Sequence, residues 1–131
     1  MSKRYHLFIS HSWNYTDAYE KLIALLDKTG LVYSDYSVPK EDPVHTNGTD
    51  KELKDAIRRQ MAPCNCILVL AGVYATYSKW INKEIEIAKS MKKKIIAIEP
   101  FGSERTSRFV KENADIIVKW RGESIKNAIE Q

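Results

Sequence analysis

The sequence predicts an α/β protein with a flavodoxin-like fold, an open five-stranded parallel sheet in the order 2-1-3-4-5 with helices on both faces. Short apolar runs recur along the chain and alternate with segments whose apolar residues have helical spacing. Most of these runs lack polar alternation, which is typical of parallel strands buried on both faces. The length of 131 residues suits a single domain over 1–131.

The first half of the chain is predicted as strand, helix, strand and long loop. YHLFIS at 5–10 is a short apolar run typical of a buried strand. A helix is predicted over 14–29, ended by Gly30, and LVYS at 31–34 predicts the second strand. The helical spacing is that of Ala18, Leu22, Leu25 and Leu26. The polar segment at 35–48 is longer than ordinary connections, and such loops are often functional.

The second half continues the alternation of helices and strands. Its predicted strands span 66–72, 94–100 and 115–120. Two of its predicted helices begin at Thr49 or Asp50 and after Ser78, respectively. Two more are predicted over about 104–113 and roughly 122–130. CILVLAG at 66–72 is the most apolar strand, so we expect it in the centre of the sheet.

Composition and charge exclude several classes of function. Hydrophobic residues make up 44% and charged residues 29%, which is ordinary for a globular protein. We expect a cytoplasmic protein without a membrane partner, because no apolar stretch has the length of a membrane span and the N-terminus does not resemble a signal peptide. Net charge is +4, and the tight basic run at 92–94 closes a helix without interleaved aromatic residues. This pattern favours a solvated helix end over nucleic-acid binding.

The cysteines and histidines do not predict a metal centre. Cys64 and Cys66 are expected to be reduced thiols, because disulfides are rare in the cytosol. His6, His11 and His45 show no metal-ligand spacing with them. We therefore predict no metal site.

The fold places a ligand site beyond the carboxyl ends of the strands, near the switch in strand order. Here the relevant loops are SHSWN at 10–14 and AGVYATYS at 71–78, with the long loop after strand two beside them. Strand one is not followed by a dinucleotide-binding glycine pattern, and the chain has no P-loop or nucleophile elbow. The ends of strands one and three lack the acidic residues of a phosphoacceptor receiver.

One carboxylate with an aromatic neighbour remains as the candidate site. Trp80 and Glu84 are four residues apart in SKWINKEIEIA and share one helical face. Glu84 lies about 100° from Ile85, at the margin of the apolar stripe, so it is expected to be half-buried. Such a setting can raise a carboxyl pKa and present the acid to a cleft. The spacing fits equally a surface glutamate near a helix N-terminus, with Trp80 as an anchor.

Three segments resemble TIR domains. LAGVYATYSKWINKEIEIA resembles their third strand and following helix. Tyr74, Ser78, Trp80, Glu84 and Ile85 match the motif approximately, with one extra residue between the tyrosine and the serine. HLFISHSW resembles the first TIR box, and SVPKEDP stands at the position of the BB loop. The chain departs from many TIR domains at Ile81, where they have Cys, and at His11, where they have Tyr, Phe or Arg. The resemblance covers most of the chain and is closest to the bacterial and archaeal TIR-like family of Thoeris antiphage defence.

The resemblance implies an NAD-cleaving enzyme in which Glu84 is the essential residue and NAD is a substrate rather than a cofactor. It also implies a substrate site around this acid, in which Trp80 forms a wall. The other implied substrate-binding residues are Ser10, His11, Trp13, Tyr33, Asp35, Ser37, Tyr74 and Ser78. Trp13 fits equally a core cover at the start of the first helix, and His11 a locally hydrogen-bonded residue at a strand end.

In Thoeris-like systems the product is an ADP-ribose-derived signal, cyclic or conjugated, that activates a separate effector protein. The resemblance therefore implies such an effector as partner, together with self-association through the BB loop. Two alternatives stay open. One is a non-enzymatic TIR-like adaptor that binds partners through the BB loop. The other is an enzyme similar to nucleoside deoxyribosyltransferases, which also place a glutamate at the ribose.

Overall fold

The strands form one parallel sheet whose order places β3 at its centre. A computed structural model describes residues 4–10, 16–36, 50–70, 79–99 and 108–131, without the side chains of 16–18, 50, 79 and 80. The strands are β1 (Tyr5–Ser10), β2 (Tyr33–Asp35), β3 (Cys66–Leu70), β4 (Lys94–Ile98) and β5 (Ile116–Val118). They pair in the order β2-β1-β3-β4-β5, and every pair is parallel. The predicted fold class and strand order are confirmed, and every residue of β3 is buried.

Five helices flank the strands in the described part of the chain. They are α1 (Thr16–Lys28), α2 (Asp50–Met61), α3 (Lys79–Ser90), α4 (Arg108–Asn113) and α5 (Gly122–Glu130). The bounds of α5 match the prediction. The second strand was predicted two residues too early, because β2 pairs with β1 only from Tyr33, opposite Tyr5. Leu31 is instead buried against the core before the strand begins.

The helices cover the two faces of the sheet unequally. On the face covered by α1 and α5, called the α1 face, Leu7 and Ile9 of β1 pack against Leu22 and Ile125. On the opposite face, called the α3 face, the remaining helices bury a second apolar cluster. That cluster includes Phe8, Ile57, Met61, Val69, Ile81, Ile85, Ala88 and Val110. Because side chains alternate along a strand, Ser10 shares the α3 face with Phe8.

The basic run at 92–94 lies just after α3, and two of its side chains join helix ends to the sheet. Lys93 Nζ donates hydrogen bonds to the carbonyl oxygens of Ala62 at 2.9 Å and Cys64 at 3.0 Å, just after α2. Lys94 Nζ donates to the carbonyl oxygens of Ala128, Ile129 and Gln131, at 2.7, 3.2 and 3.0 Å. Both ammonium groups therefore satisfy carbonyls at the negative ends of helices.

Cys64 and Cys66 are buried free thiols, as the sequence predicts. They pack into the clusters of opposite faces. Burial raises the pKa of Cys64 to about 12 and that of Cys66 to about 11, although Lys93 and Lys94 respectively oppose the shift. The described residues include no cluster of three His, Cys, Asp or Glu side chains that could hold a metal ion. Within the same residues, no helix is long and apolar enough to cross a membrane.

Candidate functional site

Ser10 places a hydroxyl at the carboxyl end of a central strand. It is the last residue of β1, where it pairs with Val69 of β3. Its side chain is fully buried on the α3 face. Ser10 follows the buried residues Leu7, Phe8 and Ile9, and its buried hydroxyl needs a hydrogen-bond partner there. The sequence predicts the ligand site at this end of the strands.

Glu84 lies deeper than the sequence predicts. Its exposed fraction is 1%, so the prediction of a half-buried acid was wrong. The apolar stripe was predicted correctly, since Ile81, Ile85 and Ala88 are all buried in the α3-face cluster. A helical wheel gives the direction of Glu84 from this stripe but not what covers that flank. In the folded chain α3 packs over the end of β1, and this contact helps remove the carboxylate from solvent.

The two buried polar residues are joined directly. Ser10 Oγ donates a hydrogen bond to Glu84 Oε1 at 2.6 Å. This distance lies within the range of roughly 2.5–2.7 Å that is typical of a hydroxyl donating to a carboxylate. Burying an ionised carboxylate is costly unless donors compensate for the lost water. The pair is therefore a buried carboxyl group that accepts a hydrogen bond from at least one fixed donor in apolar surroundings.

Tyr33 and Asp35, predicted as one wall of the substrate site, have their side chains on the other side of the sheet. Tyr33 Oη donates to Asp27 Oδ1 of α1 at 3.0 Å. Asp35 accepts a hydrogen bond from Tyr19 Oη, also of α1. Both contacts belong to the α1 face, whereas Ser10 and Glu84 occupy the α3 face. The structure does not bring these two side chains to the Ser10–Glu84 pair, and their role as substrate contacts stays a prediction.

Most of the other predicted substrate contacts fall outside the described residues. These are His11, Trp13, Ser37, Tyr74 and Ser78. Trp80 lies in the first turn of α3, one turn before Glu84, and its side chain is not among those that the structure describes. Of the predicted site, the structure therefore brings together Ser10 and Glu84.

Sequence reasoning named both members of this pair but missed their contact, and it missed Tyr19. Ser10 and Glu84 are 74 residues apart, so no local spacing could join them. Tyr19 hydrogen-bonds the last residue of β2, and the spacing of apolar residues along α1 carries no signal for this contact. Burial and that hydrogen bond to Asp35 raise the pKa of Tyr19 above its ordinary value.

Comparison with known proteins places the fold and the family. The chain is similar in fold to the CMP N-glycosidase BcmB of Clostridium botulinum, with a TM-score of 0.51, 18% identity, and 96% of this chain and 99% of that chain covered. A 3-dehydroquinate dehydratase-like protein from Bifidobacterium longum aligns with a TM-score of 0.46 at 9% identity, over 99% of this chain and 94% of the other. No curated protein gives a significant sequence match. A family model described as the TIR-like domain of the Thoeris protein ThsB matches residues 8–105, which include Ser10 and Glu84, and this chain belongs to that family.

Proposed function

We propose that this protein is a TIR-domain enzyme that cleaves the bond between nicotinamide and ribose in NAD, with Glu84 as the catalytic residue. The observation that carries the proposal is the buried Glu84 carboxylate, hydrogen-bonded by Ser10 at the carboxyl end of β1. This is the edge of the sheet at which parallel α/β folds bind ligands. Membership of the ThsB family supports the same assignment.

The reaction depends on the negative charge of a carboxylate and does not need a proton donor for the leaving group. Nicotinamide leaves as a neutral molecule, because the electron pair of the glycosidic bond returns to the positively charged pyridinium nitrogen. The ribose left behind develops the positive charge of an oxocarbenium ion. A carboxylate in surroundings of low dielectric constant stabilises this charge more strongly than the same group in water. A nucleophile then attacks the anomeric carbon, and a hydroxyl nucleophile loses its proton in this step.

The product we propose is an ADP-ribose-derived signalling nucleotide, cyclic or conjugated, that activates a separate effector protein in antiphage defence. A cyclic product forms when a nucleophile within the same molecule attacks the anomeric carbon, and a conjugate forms when another molecule does so. BcmB is by its name an N-glycosidase of a nucleotide, but the likeness to it extends only to the fold. Mass spectrometry of the reaction mixture distinguishes a cyclic product, a conjugate and free ADP-ribose.

The direct test is nicotinamide release from NAD, followed by chromatography, with and without a crowding agent or lysate from infected cells. We expect Glu84→Gln to lower the rate by at least about 100-fold, because the amide keeps the shape of the side chain but loses its charge. The matched control is Glu86→Gln, which removes an exposed carboxylate from the same helix. Release that is unchanged in Glu84→Gln would exclude this residue as the catalytic group.

A substrate panel separates the proposed activity from its alternatives. A deoxyribosyltransferase-like enzyme would exchange bases between deoxynucleosides and leave NAD intact. An adaptor would release no nicotinamide under any condition and would lose partner binding when Pro39 or Asp42 is replaced. Either result would replace NAD cleavage as the function of this chain.

A further inference from the structure

We infer that Ser10 is a positioning residue that orients the Glu84 carboxylate, rather than a group that contacts the substrate. The inference rests on the proposed function, since it concerns the step in which Glu84 acts. The geometry that points to it is the 2.6 Å hydrogen bond between two fully buried side chains.

The hydroxyl proton of Ser10 is already committed to Glu84. A serine hydroxyl carries one donor, and at 2.6 Å this donor is directed at Glu84 Oε1. Contact with a substrate acceptor would require the hydroxyl to turn away and leave a buried carboxylate oxygen without this donor. Removing a hydrogen-bond partner from a buried charged group is costly. We therefore expect the bond to persist when substrate binds.

The donor is also held by the sheet, so it can fix the direction of the carboxylate. Ser10 pairs with Val69 of β3, whereas β2 pairs with β1 only as far as Leu7. The same α3 face carries close-packed apolar side chains, among them Phe8, Val69, Ile81 and Ile85. A glutamate has three side-chain torsions to fix, and the helix backbone restricts only the first of them strongly. The bond from Ser10 restricts the outer torsions, and with them the position of the oxygens.

A positioning residue and a substrate contact give different kinetics. A lost substrate contact that acts equally in the bound and transition states raises KM and leaves kcat unchanged. A misplaced carboxylate binds the substrate normally but stabilises the oxocarbenium charge poorly, so kcat falls. The split between kcat and KM is therefore the readout that separates the two roles.

The matched variants are Ser10→Thr and Ser10→Val, which have nearly the same shape and differ in the hydroxyl. Steady-state nicotinamide release from NAD is measured for both under the conditions in which the wild type is active. We expect kcat of Ser10→Val to be about 10- to 100-fold below that of Ser10→Thr, with KM values within roughly threefold of each other. Ser10→Ala removes the hydroxyl without adding atoms, so it supplies the same comparison with the wild type if the larger side chains unfold the chain.

Each outcome either supports or overturns the inference. Equal kcat values for the Thr and Val variants, or for the folded Ala variant and the wild type, would show that the hydroxyl does not orient Glu84. A rise in KM with unchanged kcat would make Ser10 a substrate contact instead. Both results leave NAD cleavage standing. Absence of nicotinamide release from the wild type in every condition would overturn the proposed function, and this inference with it.

Discussion

Lys94 connects the first residue of a central strand to the last turn of the final helix. Its ammonium group donates to three main-chain carbonyls at the end of α5, the nearest of them Ala128 at 2.7 Å. These carbonyls have no partners within the helix, because a helix leaves its last four unsatisfied. A half-buried cation at this position also interacts favourably with the helix dipole.

We expect Lys94→Met to lower the free energy of unfolding by about 1 to 2 kcal/mol, because methionine keeps the packing of the side-chain stem but removes the donors. Urea unfolding followed by circular dichroism measures the change. Lys54→Met, which replaces an exposed lysine of α2, is the control for loss of one positive charge. Equal unfolding midpoints for the two variants would show that the Lys94 hydrogen bonds contribute nothing net.

The buried thiols predict a loss of stability in alkaline solution. Burial raises the pKa of Cys64 to about 12 and that of Cys66 to about 11, from an ordinary value of 9.0. Between pH 9.0 and the raised pKa values, the unfolded chain has released thiol protons that the folded chain still holds, so rising pH favours unfolding. The free energy of unfolding should therefore decline as pH rises above 9.0, as urea titrations at several pH values would measure.

The control for this alkaline decline is Cys64→Ala, which removes one of the two thiols. We expect a shallower decline in this variant and not a flat profile, because Cys66 remains and burial also raises the pKa of Tyr19 and Tyr33. A decline as steep as that of the wild type would assign the effect to groups other than Cys64.

At the scale of the element, α3 ends in a left-handed residue that is not glycine. Lys92 has φ of 58°, and the Schellman pattern is complete around it. The amide of Lys92 donates to the carbonyl of Lys89 at 3.1 Å, and that of Lys93 donates to Ala88 at 3.0 Å. A side chain in this conformation costs roughly 1 kcal/mol relative to glycine.

We therefore expect Lys92→Gly to raise the free energy of unfolding by up to about 1 kcal/mol, measured by thermal or urea unfolding. The reciprocal control is Gly30, which follows α1 with φ of 78° and has open space where a Cβ would stand. Gly30→Ala should lose about 1 kcal/mol for the backbone conformation alone. A destabilised Lys92→Gly would mean that the lysine side chain contributes more than the strain it causes.

The elements also show how far the sequence could be read without the structure. The strand order was predicted from the flavodoxin-like fold class that alternating strands and helices indicate. The bounds of α5 were predicted correctly from the helical spacing of its apolar residues. β2 was misplaced because an edge strand of three residues has too little alternation to reveal its register. For the same reason the sequence could not predict which face of the sheet carries the side chains of Tyr33 and Asp35.

At the scale of the whole molecule, different interactions occupy the two ends of the strands. Lys93 and Lys94 bind helix ends at the amino ends of the strands, whereas Ser10 lies at the carboxyl end of β1 beside Glu84. Substitutions at the amino ends should thus alter stability while leaving the chemistry of the folded fraction unchanged. Lys94→Met should show this as a normal kcat at temperatures well below its unfolding midpoint.

The resemblance to TIR domains implies self-association through the BB loop, which predicts that activity depends on assembly. We therefore expect specific activity to rise with protein concentration rather than stay constant. Nicotinamide release measured across a dilution series, alongside light scattering, tests this. Constant specific activity in a purely monomeric sample would contradict it.

The 74 residues that separate Ser10 from Glu84 have a consequence for how the chain matures. Ser10 and Glu84 come into contact only when β1 is paired with β3 and α3 is packed over the end of β1. Contacts so distant along the chain are slow to form, because loop closure costs entropy before the contact gains energy. We therefore expect the Ser10–Glu84 contact to return late during renaturation. Recovery of nicotinamide release would then measure complete folding, and it should lag behind the recovery of helical circular dichroism.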